Sequence, residues 1–267
     1  MSTRLTKTFS DLKESGKSAF VAYVAAGDPN FDASLQIMHA LSRAGADVIE
    51  LGVPFSDPLA DGIVNQLAAE RALKAGMNVS RVLDLIRAFR EESETPLVLF
   101  TYLNPIYTYG YEKFHKDASA AGADGILLLD LPPDEAALNP DLTSEVGLHH
   151  IRLIAPATPE SRVKTIAENS SGFIYALSRT GVTGAQAAPS ATVGATVERI
   201  KQFTNTPVCV GFGISTPEQA SEVAAAADGI IVGSAIVNQV AEHQSDPNLD
   251  QIIEDFVRPI VEACKSV

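Results

Sequence analysis

A single glutamate interrupts an apolar stretch near residue 50, and its type and position suit proton transfer. The stretch reads Val48-Ile49-Glu50-Leu51-Gly52-Val53. If it forms a β-strand, the alternation of side chains separates Glu50 from the branched face of Ile49 and Leu51. A carboxyl group that loses its water is harder to ionise, so its pKa rises toward the range useful for acid–base chemistry. A glutamate satisfied by a buried partner is the structural alternative, but the cost of burying a carboxylate on a strand favours the catalytic interpretation.

Two further carboxylates follow in the segment 54–62, which reads Pro54-Phe55-Ser56-Asp57-Pro58-Leu59-Ala60-Asp61-Gly62. Asp61 is close enough along the chain to fold back over Glu50. However, Asp-Pro and Asp-Gly are common turn dipeptides. Taken alone, Asp57 and Asp61 are therefore predicted to form turns or to cap a helix.

Glycines late in the chain predict a binding site for a phosphate group. They occur in Gly211-Phe212-Gly213-Ile214-Ser215 and in Gly233-Ser234-Ala235. Glycine lets the backbone approach an anion, a helix N-terminus offers N–H donors, and the Ser234 hydroxyl adds another donor. The glycines could instead serve tight turns only, but two such signals after the last two predicted strands favour phosphate. We expect a small phosphorylated ligand.

A repeating α/β pattern must position these residues. Eight short apolar runs, each followed by a segment of helical periodicity, predict strands at 19–24, 47–51, 96–102, 125–130, 150–154, 173–177, 207–211 and 229–232. Units of roughly 33 residues match a closed (β/α)8 TIM barrel better than an open sheet. In the segment 3–14, Leu5, Phe9 and Leu12 share one face, which predicts an extra N-terminal helix that covers the bottom of the barrel. No linker divides the chain, so residues 1–267 are expected to form a single domain.

Composition limits the classes of partner. The chain has 20 Lys and Arg against 33 Asp and Glu, and its formal net charge of −13 disfavours nucleic acid and anionic membranes. No apolar run approaches the roughly 20 residues that cross a bilayer. Cys209 and Cys264 form no metal-binding or disulfide pattern, and the N-terminus lacks the apolar core of a signal peptide. We expect a cytoplasmic protein without a metal site.

The segment that follows the sixth predicted strand has an unusual density of small residues. It reads Ser178-Arg179-Thr180-Gly181-Val182-Thr183-Gly184-Ala185-Gln186. Its glycines permit large backbone movements, so a closing lid and a plain surface loop are both compatible with its composition. In the strand before it, Tyr175 shares a face with Phe173 and Leu177, which is typical of a core tyrosine.

Several segments of this chain resemble the tryptophan synthase alpha chain family, and the similarity spans nearly the whole chain. They are Gly27-Asp28-Pro29, the stretch from Glu50 to Gly62, Ser178-Arg179 with Gly181-Val182-Thr183-Gly184, and Gly211-Phe212-Gly213-Ile214. The resemblance implies retro-aldol cleavage of indole-3-glycerol phosphate to indole and glyceraldehyde 3-phosphate, with no cofactor. It also implies a partner, the beta chain, which carries pyridoxal phosphate. We expect that contact at the loops 54–62 and 102–110.

The resemblance also implies a role for each site residue. Glu50 matches the acid–base carboxylate of the family. Asp61 matches the carboxylate that accepts the indole N–H and stabilises the positive intermediate, so its interpretation as a turn former gives way. The implied substrate-binding residues are Tyr175 at the reacting centre, Gly184, Gly213, Gly233 and Ser234 at the phosphate, Phe212 beside them, and Tyr23, Phe100 and Tyr102 as aromatic walls.

One departure from the family pattern falls in the indole pocket. The family follows its Asp-Gly with Pro-x-Ile-Gln, whereas this chain has Ile63-Val64-Asn65-Gln66. A polar amide at position 65 is expected to weaken substrate binding or to shift the local register. A catalytically weak or silent barrel that binds a phosphorylated ligand and activates a partner is therefore the alternative function. A phosphosugar epimerase is disfavoured, because the five histidines show no ligand spacing.

Overall fold

The computed structural model describes residues 3–132, 138–177, 190–211 and 213–267. Eight parallel strands close into a barrel in which neighbours in sequence pair with each other and the last strand pairs with the first. The strands are β1 Ala19–Ala25, β2 Val48–Gly52, β3 Leu97–Thr101, β4 Gly125–Leu128, β5 His149–Ile154, β6 Ile174–Leu177, β7 Val208–Gly211 and β8 Gly229–Val232. The predicted (β/α)8 TIM barrel is confirmed, and each predicted strand overlaps an observed one.

Twelve helices occur in the described residues, and they surround the barrel or cover its lower end. They are α1 Arg4–Glu14, α2 Phe31–Ala44, α3 Ile63–Lys74, α4 Val79–Arg90, α5 Leu103–Tyr109, α6 Tyr111–Ala121, α7 Leu138–Val146, α8 Glu160–Glu168, α9 Ser190–Lys201, α10 Pro217–Ala224, α11 Ser234–Glu242 and α12 Leu249–Cys264. The strands β2, β3 and β8 are each followed by two helices, rather than by one helical segment.

The interpretation of residues 102–110 as a loop is wrong, because α5 occupies most of this segment. Pro105 lies in the first turn of α5, where the missing backbone N–H of proline removes no helical hydrogen bond. Ile106 is fully buried and anchors the helix on the barrel. Gly110, with φ of 105°, ends the helix in a conformation that favours glycine.

The extra N-terminal helix is confirmed as a cover for the bottom of the barrel, the end at which the strands begin. Thr3 caps α1 by accepting a hydrogen bond from the backbone N–H of Thr6 at 3.1 Å. Leu5 and Phe9 are buried in the barrel interior. The Phe9 ring lies 5.7 Å from the ring of Phe173, which precedes β6.

Side-chain alternation along β2 sorts its residues between two cores. Ile49, Leu51 and Val53 lie in the core between the sheet and the helices. Val48 lies inside the barrel with the residues that contact α1. Glu50 shares the interior face with Val48 and is fully buried, which is the orientation that alternation predicts.

A repeated hydrogen bond joins the strands at the bottom of the barrel. A short polar side chain just ahead of each even-numbered strand accepts the backbone N–H of the odd-numbered strand before it. These bottom-rim acceptors are Asp47 for Phe20, Asp124 for Leu97, Ser171 for His150 and Asp228 for Val208, at 2.7 to 2.9 Å. The first two follow Gly45 and Gly122, which end α2 and α6 in the left-handed conformation.

Two further expectations concern the chain as a whole. Within the described ranges, no helix combines the length and the apolar character needed to span a membrane. The same ranges contain no group of three or more His, Cys, Asp or Glu side chains arranged to hold a metal ion. Both cysteines are free and buried.

Candidate active site

Glu50 lies toward the mouth of the barrel, the end at which the strands finish. It pairs with Tyr23 of β1 and Val98 of β3. Neither of its carboxyl oxygens has a hydrogen-bond partner among the described residues, so the buried partner of the structural alternative is not found there. Burial raises the pKa of Glu50 to about 8. The group therefore holds a proton at neutral pH, as a proton donor must.

Asp61 lies in the loop between β2 and α3, and its carboxylate is well supported. Tyr102 donates its hydroxyl to Asp61 Oδ2 at 2.8 Å, and the Ala60 backbone N–H donates to the Tyr102 hydroxyl at 3.0 Å. Gln66 donates its side-chain amide to the backbone carbonyl of Asp61 at 2.8 Å. Burial raises the pKa of Asp61, whereas hydrogen bonds from Tyr102 and Asn65 act to lower it. These two bonds favour the ionised form.

A small cavity adjoins Asp61 and has aromatic walls. Its lining includes Tyr23, Phe100, Tyr102 and Asn65. The rings of Tyr23 and Phe100 meet edge to face, with centroids 5.1 Å apart. The space open to the centre of a water-sized molecule is about 10 Å³, which is room for about one water. The structure thus brings the three predicted aromatic walls together with Asp61, around a cavity too small for an indole ring.

At the mouth of the barrel, the hydroxyl groups of two tyrosines lie close to glycines of neighbouring strands. The Tyr175 hydroxyl occupies the space beside Gly211 of β7, where a Cβ would collide with it. The Tyr23 hydroxyl occupies the corresponding space beside Gly52 of β2. Tyr175 also packs against the interior core, and the carboxyl charge of Glu50 contributes, after burial, to raising its pKa. Tyr175 is therefore both a core side chain and a neighbour of the predicted acid–base group.

The described part of the predicted phosphate site consists of Gly213, Gly233 and Ser234. Gly213 has a positive φ of 68° and open space around it. Gly233 supplies no side chain to cap α11, which begins at Ser234. The first N–H groups of this helix are therefore available to an anion. A Cβ on Gly233 would lie 3.3 Å from Tyr23 Cβ, so this helix N-terminus adjoins the cavity wall.

Three predictions fall on residues that the structure does not describe. Gly184 and Phe212 lie outside the described ranges, as does the segment 178–189. The lid and surface-loop interpretations of that segment both stay open. Gly184 and Phe212 stay predictions from the resemblance.

The sequence analysis missed an ion pair that attaches α3 to the rest of the mouth. Asp28, which is almost fully buried, accepts two hydrogen bonds from Arg71, at 2.7 and 2.8 Å. Asp28 follows β1, and Arg71 lies on α3 two turns after Asn65. A two-pronged pair of this kind fixes orientation as well as distance. The Gly27-Asp28-Pro29 motif signalled the carboxylate, but nothing in the sequence pointed to Arg71 as its partner.

Comparison with known proteins matches nearly the whole chain to one family. Residues 9–262 match the family model of the tryptophan synthase alpha chain. The crystal structure of tryptophan synthase subunit alpha from Legionella pneumophila is 38% identical, with a TM-score of 0.90 and 98% of each chain covered. A structure of Mycobacterium tuberculosis tryptophan synthase is 34% identical, with a TM-score of 0.91 and all of both chains covered. The chain belongs to the tryptophan synthase alpha chain family.

Proposed function

We propose that this protein cleaves indole-3-glycerol phosphate to indole and glyceraldehyde 3-phosphate by a retro-aldol reaction, as the alpha subunit of tryptophan synthase. Family membership supports the reaction. The observation that carries it for this chain is the state of Glu50, a buried carboxyl group that has no hydrogen-bond partner in the described residues. It lies beside Tyr23, which borders both the aromatic cavity and the free end of α11.

Glu50 performs both proton transfers of the cleavage. Because burial raises its pKa to about 8, it is protonated at neutral pH and gives its proton to C3 of the indole ring. The resulting carboxylate takes the proton of the glycerol hydroxyl next to the ring. As that hydroxyl becomes a carbonyl, the carbon–carbon bond breaks and its electron pair returns to the ring. Glu50 ends the cycle protonated, as it began.

Asp61 stabilises the charge that the first proton transfer creates. Protonation at C3 places positive charge on the ring nitrogen, whose N–H the Asp61 carboxylate accepts. The hydrogen bond from Tyr102 holds this carboxylate in position before the reaction starts. Tyr23, Phe100 and Tyr102 stack around the ring, and these walls must separate on binding because the cavity now admits about one water.

The phosphate group anchors the other end of the substrate. Gly213, Gly233 and the Ser234 hydroxyl bind it at the start of α11, together with Gly184 and beside Phe212. Support comes from the uncapped helix N-terminus and from its contact with the Tyr23 wall. Tyr175 positions the glycerol carbons between the two ends. No cofactor is required of this chain for these steps.

We also propose that a beta chain docks on the rim of the mouth. Leu59 and Tyr107 are 93% and 75% exposed, and Ile63 and Leu67 are about half exposed. Large apolar side chains gathered at one rim mark a contact surface. The pyridoxal phosphate belongs to the partner, and the complex acts in the cytoplasm, where the two free cysteines stay reduced.

A silent barrel that only activates its partner is the less favoured alternative. Both carboxylates of the reaction are present, and Asn65 acts to lower the pKa of Asp61, which favours the ionised form that the reaction needs. Turnover by the isolated chain separates the two functions.

The test is indole release from indole-3-glycerol phosphate by the Glu50→Gln variant. We expect a loss of about 10²–10⁴-fold, which is the usual contribution of a general acid–base group. Binding of glyceraldehyde 3-phosphate and the circular dichroism spectrum should remain unchanged. Glu70→Gln, an exposed position on α3, is the matched control and should keep full turnover. Undiminished turnover by Glu50→Gln would contradict the proposed function.

A further inference from the structure

Asn65 presents an unpaired buried acceptor to the aromatic cavity. It lies in the first turn of α3 and lines the cavity beside Asp61 and Tyr102. Its side chain acts to lower the pKa of Asp61, as a hydrogen-bond donor beside a carboxylate does, and only the amide nitrogen can donate to a carboxylate. Its carbonyl oxygen Oδ1 is buried and has no hydrogen-bond partner in the described part of the chain.

A buried acceptor without a partner lowers the stability of the protein unless a ligand donates a hydrogen bond to it. A buried carbonyl without a donor loses its hydration and gains nothing in return. The buried residues of α3 are Ala68, Ala69 and Ala72, none of which has a side-chain donor. An apolar residue at position 65 would avoid the cost. The missing donor is therefore expected from a molecule that enters the cavity.

The walls of the cavity limit what that donor can be. Tyr23, Phe100 and Tyr102 suit the faces of a flat aromatic ring. Asp61 and Asn65 both line this cavity, and the Asp61 carboxylate and the Asn65 carbonyl both accept hydrogen bonds. A ring N–H directed between them is satisfied by both, in a three-centre hydrogen bond.

We propose that Asn65 is a specificity-determining residue, whose amide nitrogen holds Asp61 while its Oδ1 shares the ring N–H of the ligand with that carboxylate. The amide and the carboxylate together select a bicyclic ring that carries an N–H over one that lacks it. This inference rests on the proposed function, because it identifies the ring as the indole of the substrate. A purely structural Asn65, which only orients Asp61, would not select between such rings through its own oxygen.

The experiment compares two ligands that differ only in the ring donor. Indole-3-propanol phosphate lacks the hydroxyl needed for cleavage, and its benzofuran counterpart has oxygen in place of the N–H. Calorimetric titration gives the affinity ratio for the wild type, for Asn65→Leu, which has nearly the same shape, and for Asn65→Ala. Gln251→Leu is the control, since it removes an exposed side-chain amide on α12 that does not line the cavity.

We expect the wild type to prefer the indole ligand by roughly 50-fold and Asn65→Leu to prefer it by roughly fivefold, since an unsatisfied buried group costs about 1–3 kcal/mol. The residual preference belongs to Asp61. Asn65→Ala should also lose preference, and Gln251→Leu should keep the wild-type ratio. An unchanged ratio in both Asn65 variants would overturn the inference while leaving the proposed function intact. Failure of the wild type to bind either ligand would overturn both.

Discussion

Glu50 at the mouth of the barrel and two aspartates at the bottom are largely buried carboxyl groups in opposite situations. At the bottom, Asp124 accepts the Leu97 backbone N–H at 2.9 Å and pairs with Arg90 at 2.8 Å. Asp47 has the same arrangement with Phe20 and Lys265. At the mouth, Glu50 is more deeply buried than either and has no hydrogen-bond partner in the described residues.

Paired and unpaired carboxyl groups serve different purposes, the first stability and the second chemistry. A carboxylate that joins two strands and neutralises a cation contributes to the free energy of unfolding, and both of its functions serve other parts of the protein. An unpaired carboxyl group lowers that free energy, yet it is ready to exchange a proton. Barrels of this class carry stability at the bottom and catalysis at the mouth. The mouth therefore retains Glu50 for its chemistry, although this unpaired group lowers the free energy of unfolding.

The largest stability effect is expected at the bottom, from Asp124→Asn. The amide cannot neutralise Arg90, whose side chain is only 9% exposed, so a buried charge is left unpaired. We expect a loss of about 3–5 kcal/mol in the free energy of unfolding, measured by urea denaturation. Asp84→Asn, which breaks the exposed pair with Arg87, is the control and should change little. If the two variants lose the same free energy of unfolding, the buried ion pair at the bottom has no special role in stability.

The second prediction concerns the mouth, where replacing Glu50 is expected to raise the free energy of unfolding. The pKa of Glu50 is about 8 in the folded chain, against an ordinary value of 4.5. Since the folded pKa is raised, Glu50 does not destabilise the protein below pH 4.5, and it destabilises it increasingly as pH rises toward 8. Glu50→Gln should therefore be more stable than wild type by about 3 kcal/mol at pH 7, and by less than about 1 kcal/mol at pH 5.

Urea denaturation at the two pH values measures this difference. Glu70→Gln on α3 is again the control, because the exposed Glu70 should show no comparable gain between pH 5 and pH 7. If Glu50→Gln is less stable than wild type at pH 7, Glu50 has a stabilising partner and the contrast between the two ends fails.

The smallest expected effect comes from removing the hydrogen bond that Tyr102 donates to Asp61. Tyr102→Phe removes the hydroxyl that donates to Asp61 and accepts from Ala60. We expect kcat/KM to fall about tenfold, as for the loss of a hydrogen bond to a charged group. The bond from Tyr102 lowers the pKa of Asp61, so without it more Asp61 is protonated at low pH, and the loss should be greater at pH 6 than at pH 8.

Tyr109→Phe is the matched control for this prediction. It breaks another tyrosine–aspartate bond, from the Tyr109 hydroxyl to Asp117 at 2.7 Å, on the outer helices. Indole release should not change in this variant. If both variants lose activity equally, the Tyr102 bond has no specific part in the reaction.

Local pattern predicted the barrel and its extra helix well. The period of two in β2 placed Glu50 inside, because neighbouring side chains of a strand must point to opposite faces. The apolar face of Leu5, Phe9 and Leu12 predicted α1, since a helix buries one face. Helix α5 was missed because its seven residues contain a proline and too few turns to show a period.

The sequence by itself determined that Glu50 enters the barrel and roughly where each strand lies, because period and glycine positions are properties of neighbouring residues. Only the tertiary structure decided which polar groups are paired. Tyr102 reaches Asp61 from a different loop, Arg71 reaches Asp28 from a helix, and Glu50 meets no described donor. These outcomes depend on distances between strands and helices far apart in the chain, which local pattern does not contain.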